Sequence, residues 1–237
     1  MKKVLIGIAV GLIVIVSGSL AVWRIADSEN YQTFGRLVPR VDTSQKLVAL
    51  TFDDGPTPAG TDRILSILDE HQVRATFFVI GSELEKNIDS GQKIVAAGHQ
   101  LGNHSFSHRR MLFVTRSFVE HEVEKTDELI REAGYQNEIY FRPPYGKKLF
   151  MLPYYLSNTG RTTVTWDVAP ESNSMRNGNA ERIAESALTG TRPGSIIVLH
   201  VMYSSGTESV KAVAPIIEGL KTQGYTFVTV SELLAAS

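Results

Sequence analysis

The chain has 237 residues, 43% of them hydrophobic and 21% charged, with a formal net charge of -1 and no cysteine. Without a basic excess, nucleic acid is not expected as a partner. The absence of cysteine excludes disulfides, thiolate metal sites, thiol nucleophiles and a lipid-modified cysteine.

The amino terminus, MKKVLIGIAVGLIVIVSGSLAVWR, sets two lysines before about 20 uncharged residues from Val4 to Trp23. At 1.5 Å per residue that run can cross a hydrocarbon layer of about 30 Å. The lysines hold the start in the cytoplasm, so the body lies outside, and Trp23 and Arg24 suit the far interface. The alternative is a cleaved signal segment, with Ser19-Leu20-Ala21 as its small-x-small site. Either reading puts the working domain beyond the cytoplasm: a single-pass membrane protein facing outside, or a secreted one. Residues 1–24 are therefore read as anchor or signal and 25–45 as a polar linker, stalk or wrapping segment. Residues 46–237 remain as one domain, a length that suits a single core.

Within that domain short apolar runs alternate with helix-like stretches. Strands are expected over 46–52, in RATFFVIG, in QLGNHS, at the end of IYFRPPYG, in RTTVTWDV, in GSIIVLH and in FVTVSELL. Helices are expected between them over 58–70, 87–98, 117–133, 147–159, 179–189 and 209–223, several closed by glycine (Gly98, Gly134). About seven alternations without an internal repeat point to an α/β fold with a parallel sheet or barrel. In such folds chemistry gathers at the carboxyl ends of the strands. Asp53 and Asp54, His104 and His108, Arg142 and Tyr145, Asp167 and His200 all follow apolar runs, so they converge on one rim.

His104 and His108, in HSFSH, lie four residues apart, a spacing that lets two neutral imidazoles hold one metal. Surface or capping histidines explain such a pair equally well. A carboxylate beside them changes the balance, because Asp54 with two imidazoles leaves coordination positions open, as catalytic sites do. Adjacent strand side chains point to opposite faces, but Gly55-Pro56 breaks the strand and lets both Asp53 and Asp54 reach the rim. One acid can then bind the ion while the other takes a proton from water. The plainer reading of the same residues is an Asp-Gly-Pro turn with an acid as helix cap. His71, His99 and His121 are read as structural.

TFDDG, HSFSH, RPPYG and IVLH, in this order, resemble the polysaccharide deacetylases of carbohydrate esterase family four, the nodulation-protein-B homology domain. The likeness covers about Leu47 to Leu234 and implies a distorted (β/α)7 barrel. It also implies a metal-dependent hydrolase that removes N-acetyl groups from glycans, peptidoglycan N-acetylglucosamine or chitin-like oligomers. By this resemblance Asp53 is the general base, and Asp54, His104 and His108 are the metal ligands. Arg142 orients the base, Tyr145 offers its backbone N–H to the oxyanion, and Pro144 belongs to the same substrate-binding turn. Leu199 walls the acetyl pocket and His200 is the general acid. Zinc is the expected ion, with cobalt and manganese also suited to a carboxylate and two imidazoles.

The sequence departs from the family after the fifth strand. The family often carries an acid and a tryptophan there, the acid tuning the histidine; here WDVAPESNS has Ala169, Ser172 and Asn173. Asp167 or Glu171 is the replacement acid on offer, and Val201 follows His200 where the family commonly has aspartate. These departures keep two rivals open, a domain that binds glycans without cleaving them and a hydrolase of another ester or amide. Acetate release on chitooligosaccharides, compared with chromogenic acetate esters, separates them. The sequence does not give the oligomeric state.

Overall fold

The structure, a computed structural model, describes residues 16–20, 22–171 and 178–236. At its centre β2 (Leu47–Asp53) is buried along its whole length after Leu47. A strand covered on both faces needs apolar side chains on both, which LVALTF supplies. Its one hydroxyl is satisfied internally, Thr51 donating to the Ile197 carbonyl at 2.7 Å.

On one edge β2 pairs with β3 (Thr76–Val79), which pairs in turn with β4 (Gln100–Asn103). On the other edge lies β6 (Ile196–Leu199), and β7 (Thr226–Phe227) pairs with the first residues of β2. A separate pair joins β1 (Leu37–Val38) to β5 (Thr163–Val164). Every named pairing is parallel, which requires crossover helices. These are α1 (Pro58–Glu70), α2 (Gly81–Lys86), α3 (Ile88–Ala96), α4 (Arg116–Glu132), α5 (Met151–Asn158), α6 (Ala180–Gly190), α7 (Thr207–Thr222) and α8 (Val230–Ala235).

Local chemistry sets where these helices begin. Thr57 accepts the Gly60 N–H (3.2 Å) ahead of Pro58 in α1, and Thr115 accepts the Phe118 N–H (3.2 Å) in α4. Removing such a cap costs about 1 kcal/mol. One face of β2, Val48, Leu50 and Phe52, packs against Ile64 and Leu68 of α1 and Ile216 and Ile217 of α7. On the other face Ala49 meets Ile196, Val164 and Leu233. Further along that second face the residues turn polar, at Thr51 and then Asp53, and the site lies there.

The α/β class expected from the alternation is present, but the ladders do not close into a barrel. Single parallel bridges, Asn103 to Phe141, Phe141 to Thr163 and Val168 to Ile197, mark the path from β4 round to β6. The strand expected in IYFRPPYG shrinks to Phe141, because Pro143 and Pro144 have no N–H with which to continue a ladder. The helix expected from residue 147 starts only at Met151, since Tyr145 and Gly146 are left-handed and Lys147 is extended.

Residues 26–41 lie along the body. Ala26 accepts the Lys148 N–H (3.1 Å), Glu29 accepts from the Thr165 hydroxyl (2.7 Å), and Val41 donates to Gly194 (2.9 Å). Leu37 and Val38 supply β1, a strand not expected in this stretch. No helix among the described residues is long and apolar enough to cross a membrane. Most of the apolar run from Val4 lies outside the described residues.

Candidate active site

Asp53 ends β2 on its polar face and is almost wholly buried. Its Oδ1 accepts from Arg142 Nη1 at 2.6 Å. Arg142 itself has no exposed surface; it also donates to Thr51 Oγ1 (2.7 Å) and the Thr165 carbonyl (2.9 Å). Its guanidinium carbon lies 3.9 Å from the centre of the Phe78 ring and 5.5 Å from that of Trp166. Burial alone would push the Asp53 carboxyl up, but the Arg142 charge and hydrogen bond outweigh it and hold the pKa below the ordinary carboxylate range. Asp53 is therefore an ionised, immobile carboxylate.

Asp54 adopts a left-handed backbone (φ 75°), as does Gly55 (φ 67°). Aspartate tolerates this region better than most residues. The reversal is what brings two successive side chains to one rim. At Gly55 a Cβ would lie 2.7 Å from Met202 Cγ, so the turn also needs the missing side chain. Asp54 Oδ1 is buried with no hydrogen-bond partner. It lies 3.3 Å from His108 Nε2 and 3.8 Å from His104 Nε2, and those two nitrogens are 3.2 Å apart.

His104 Nδ1 lies 2.8 Å from the Arg142 carbonyl. A carbonyl only accepts, so Nδ1 carries the hydrogen and the Nε2 lone pair faces Asp54 and His108. Burial, then the neighbouring His104, holds the His108 pKa below its usual value and favours the neutral ring. Three donor atoms, one from each residue, lie within 4.8 Å of one another. A buried carboxylate oxygen without a donor, facing two imidazole lone pairs, is uncompensated unless a cation sits among them. The donor set fits a divalent ion.

Four rim residues other than glycine have positive φ: Asp54, Ser105, His108 (φ 56°) and Tyr145 (φ 58°). Strain of this kind gathers at functional sites. The Tyr145 ring is exposed and lies 4.7 Å from the His108 ring, with the Arg110 guanidinium 4.8 Å from its centre. Pro144 is buried in the turn below Tyr145.

Leu199 has no exposed surface and packs with Phe52 and Ile197 between sheet and helices. Its register partner is Phe52, so it shares that residue's face of the sheet and not that of Thr51. It offers no wall to a substrate in this conformation, contrary to the expectation from IVLH.

His200 follows Leu199, whose register partner Phe52 directly precedes Asp53. Its Nδ1 lies 2.6 Å from Glu171 Oε2, and its backbone N–H donates to Glu171 Oε1 at 2.8 Å. Burial pushes its pKa down, although the side chain is still 49% exposed; the Glu171 hydrogen bond and the Asp53 charge outweigh that and raise it to about 9. Of the two acids considered beside this histidine, Glu171 is the partner. Asp167 is engaged elsewhere, accepting from Ser195 Oγ (3.0 Å) and the Ile196 N–H (2.9 Å). Ala169 is half-buried, and Ser172 and Asn173 lie outside the described residues. A groove of ≈ 300 Å³ opens beside His200 and Glu171.

Two neighbours of the site were not expected from the sequence. Trp166 packs on Arg142, and Tyr203 lies close enough to Asp54 for that charge to help raise its phenol pKa, after burial. His99 is structural, as expected: it is buried and accepts the Ala75 N–H at 3.2 Å, and burial pushes its pKa down to about 4.

The profile of a family described as Polysaccharide deacetylase matches residues 40–164. A peptidoglycan-N-acetylglucosamine deacetylase of Bacillus cereus is 31% identical over 200 residues, which are 84% of this chain and 93% of that one. The chain belongs to the polysaccharide deacetylase family. A solved peptidoglycan N-acetylglucosamine deacetylase, in complex with an N-hydroxybenzamide, superposes on this deacetylase with a TM-score of 0.79 at 32% identity, covering 85% of this chain and 94% of that one. A family pseudoenzyme from Bacillus anthracis matches at a TM-score of 0.76 and 26% identity, covering 84% and 69% of the two chains. The family therefore includes a member without activity, and the chemistry has to be argued from the residues.

Proposed function

We propose that this deacetylase hydrolyses the acetamide of N-acetylglucosamine-type units, with peptidoglycan as the preferred glycan, releasing acetate and leaving a free amine. Asp54, His104 and His108 hold a divalent ion, zinc ahead of cobalt or manganese. When bound, that ion polarises the acetyl carbonyl and makes the attacking water more acidic. One observation carries the reading. Two adjacent carboxylates have opposite circumstances, Asp53 locked to Arg142 and Asp54 with an oxygen that lacks any partner.

The roles follow from those circumstances. Asp53, ionised and fixed, accepts the proton of the water whose oxygen bonds to the acyl carbon. The backbone N–H of Tyr145 steadies the negative oxygen; a donor in that role contributes about 10²–10³ in turnover. His200, paired through Nδ1 with Glu171, presents Nε2 as a proton donor to the amine as the C–N bond breaks. Arg142 touches no substrate and positions Asp53. The preference for peptidoglycan is supported by the Bacillus cereus relative and by an amino-terminal run read as an anchor that leaves the domain outside the membrane.

The experiment is acetate detection on purified peptidoglycan and on chitooligosaccharides, with chelated protein and protein reloaded with zinc, cobalt or manganese. Metal-dependent acetate release is expected, higher on peptidoglycan. Absence of acetate at full metal occupancy, with binding to glycan retained, would instead establish the non-catalytic reading that the Bacillus anthracis likeness keeps open.

A further inference from the structure

Two adjoining apolar grooves run beside the rim. One, of ≈ 480 Å³, lies between the helical residues around Val22 and Trp23 and the pair Phe113 and Leu149. The second, of ≈ 250 Å³, shares Val22, Phe113 and Leu149 with it and extends to Phe150 and Met151. Their borders carry large aromatic side chains in open solvent: Trp23 is 56% exposed, Phe113 86% and Phe150 55%. Tyr154, one turn after Phe150, packs edge-on against Phe34 at 5.7 Å and is also exposed. A contiguous exposed apolar face of this kind marks an interaction surface.

The fringe of the face is cationic. Two exposed cations stand there, Arg109 4.8 Å over Phe118 and Arg110 4.8 Å over Tyr145, while Lys147, 4.8 Å over the Trp23 ring, is largely buried and paired with Asp27. Aromatic rings edged by arginine match the headgroup layer of a bilayer, where rings lie at the interface and cations meet anionic lipid.

The chain also arrives at this face in a fixed position. Ala26 is buried, Asp27 pairs with Lys147, and the Lys148 N–H and ammonium bond the carbonyls of Ala26 and Ser28. The end of the run from Val4 to Trp23 is thereby fastened to the loop that carries Tyr145, with no free tether between them.

We propose that the face bearing Trp23, Phe113 and Phe150 rests on the outer surface of an anionic lipid bilayer, a proposal that rests on the reading of residues 1–24 as an anchor. The occupant is a bilayer because the apolar run ends on this face and its fringe is basic. The same two loops carry His108 and Tyr145, so docking sets the catalytic rim at headgroup height. The enzyme then acts on glycan close to the membrane and not deep in the wall.

The absence of cysteine from the sequence makes the test clean. Phe113→Cys, Phe150→Cys and the control Gln223→Cys, at the opposite ends of the strands, are each labelled with a polarity-sensitive dye. Turnover on soluble chitooligosaccharide shows that each variant is folded. The full chain is reconstituted into phosphatidylcholine–phosphatidylglycerol vesicles and floated.

Blue-shifted emission at 113 and 150, with most of it lost to lipid-borne quencher while 223 is unaffected, is the expected result. Co-flotation with all three dyes equally water-exposed overturns the docking and leaves the anchor standing. Failure to float overturns both. Protection of residue 113 without vesicles overturns it as well: if the protection rises with protein concentration the face belongs to a second copy, and if it appears only with added oligosaccharide the face belongs to glycan.

Discussion

Asp53 and Asp54 are neighbours in sequence and opposites in circumstance, and substitution separates them. Asp53→Asn should retain metal, measured by elemental analysis, while turnover falls by about 10²–10⁴, the usual loss for a general base. Asp54→Asn should lose metal and turnover together. Arg142 buries a charge against Asp53, so Arg142→Met leaves an unpaired carboxylate and should cost about 3–5 kcal/mol in chemical denaturation. Glu171 acts through His200. Because the His200 pKa is raised to about 9, the protonated acid survives neutral pH and is lost as pH rises through that value. The pair's contribution to stability has the same sign, being fully present below the unperturbed histidine value and lost on the alkaline side. A cation on Asp54 cancels that acid's part of the shift and leaves the Glu171 bond, with the Asp53 charge, as its causes. Glu171→Gln should therefore move the alkaline limb of the kcat/KM profile to lower pH, leave the limb set by Asp53 in place, and slow turnover about 10–100-fold, as loss of a supporting partner does. The metal triad was legible because TFDDG and HSFSH are compact motifs. Glu171 was not singled out, since it reaches His200 across 29 residues from a segment where the sequence offered two acids equally.

At the scale of elements, the rim depends on close backbone approaches. A Cβ at Gly206 would lie 2.2 Å from the His200 carbonyl oxygen, and backbone cannot yield as a side chain does. Gly206→Ala should displace His200, lowering kcat with KM and metal content little changed. Most helices were readable from apolar periodicity and closing glycines, and α1 begins and ends where it was expected, whereas the short α2 was missed because Gly81 was read as closing a strand. The fourth strand was misjudged because its apolar start runs into Pro143 and Pro144. β1 was missed because two residues, Leu37 and Val38, are too few to show a period. Since β1 and the bonds of residues 26–33 hold β5 and the Tyr145 loop, deletion of residues 1–38 should lower the melting temperature by several degrees. Deletion of residues 1–24 should leave it nearly unchanged; calorimetry on the two truncations checks this.

For the whole molecule, the parallel α/β arrangement was implied by alternation, and the common rim by the rule that chemistry collects at strand ends. The barrel that the family resemblance implied is not closed by continuous ladders, because the path from β4 to β6 rests on single bridges made by residues such as Phe141 and Val168 that lie outside any continuous strand. The metal ties site to fold. An ion bound only by the folded chain at 100 times its dissociation constant adds about 2.7 kcal/mol, which for a domain of this size is a rise of roughly 5–10 °C in melting temperature. Chelation should remove that increment in parent protein and have no effect in Asp54→Asn.

The most direct measurement is single-turnover acetate release by parent and Asp53→Asn on one N-acetylglucosamine oligomer, with zinc quantified in the same samples. Equal zinc, with release confined to the parent, is the predicted result. Equal release from both proteins, or release that persists after chelation, would contradict the assignment of Asp53 as base beside an ion held by Asp54, His104 and His108.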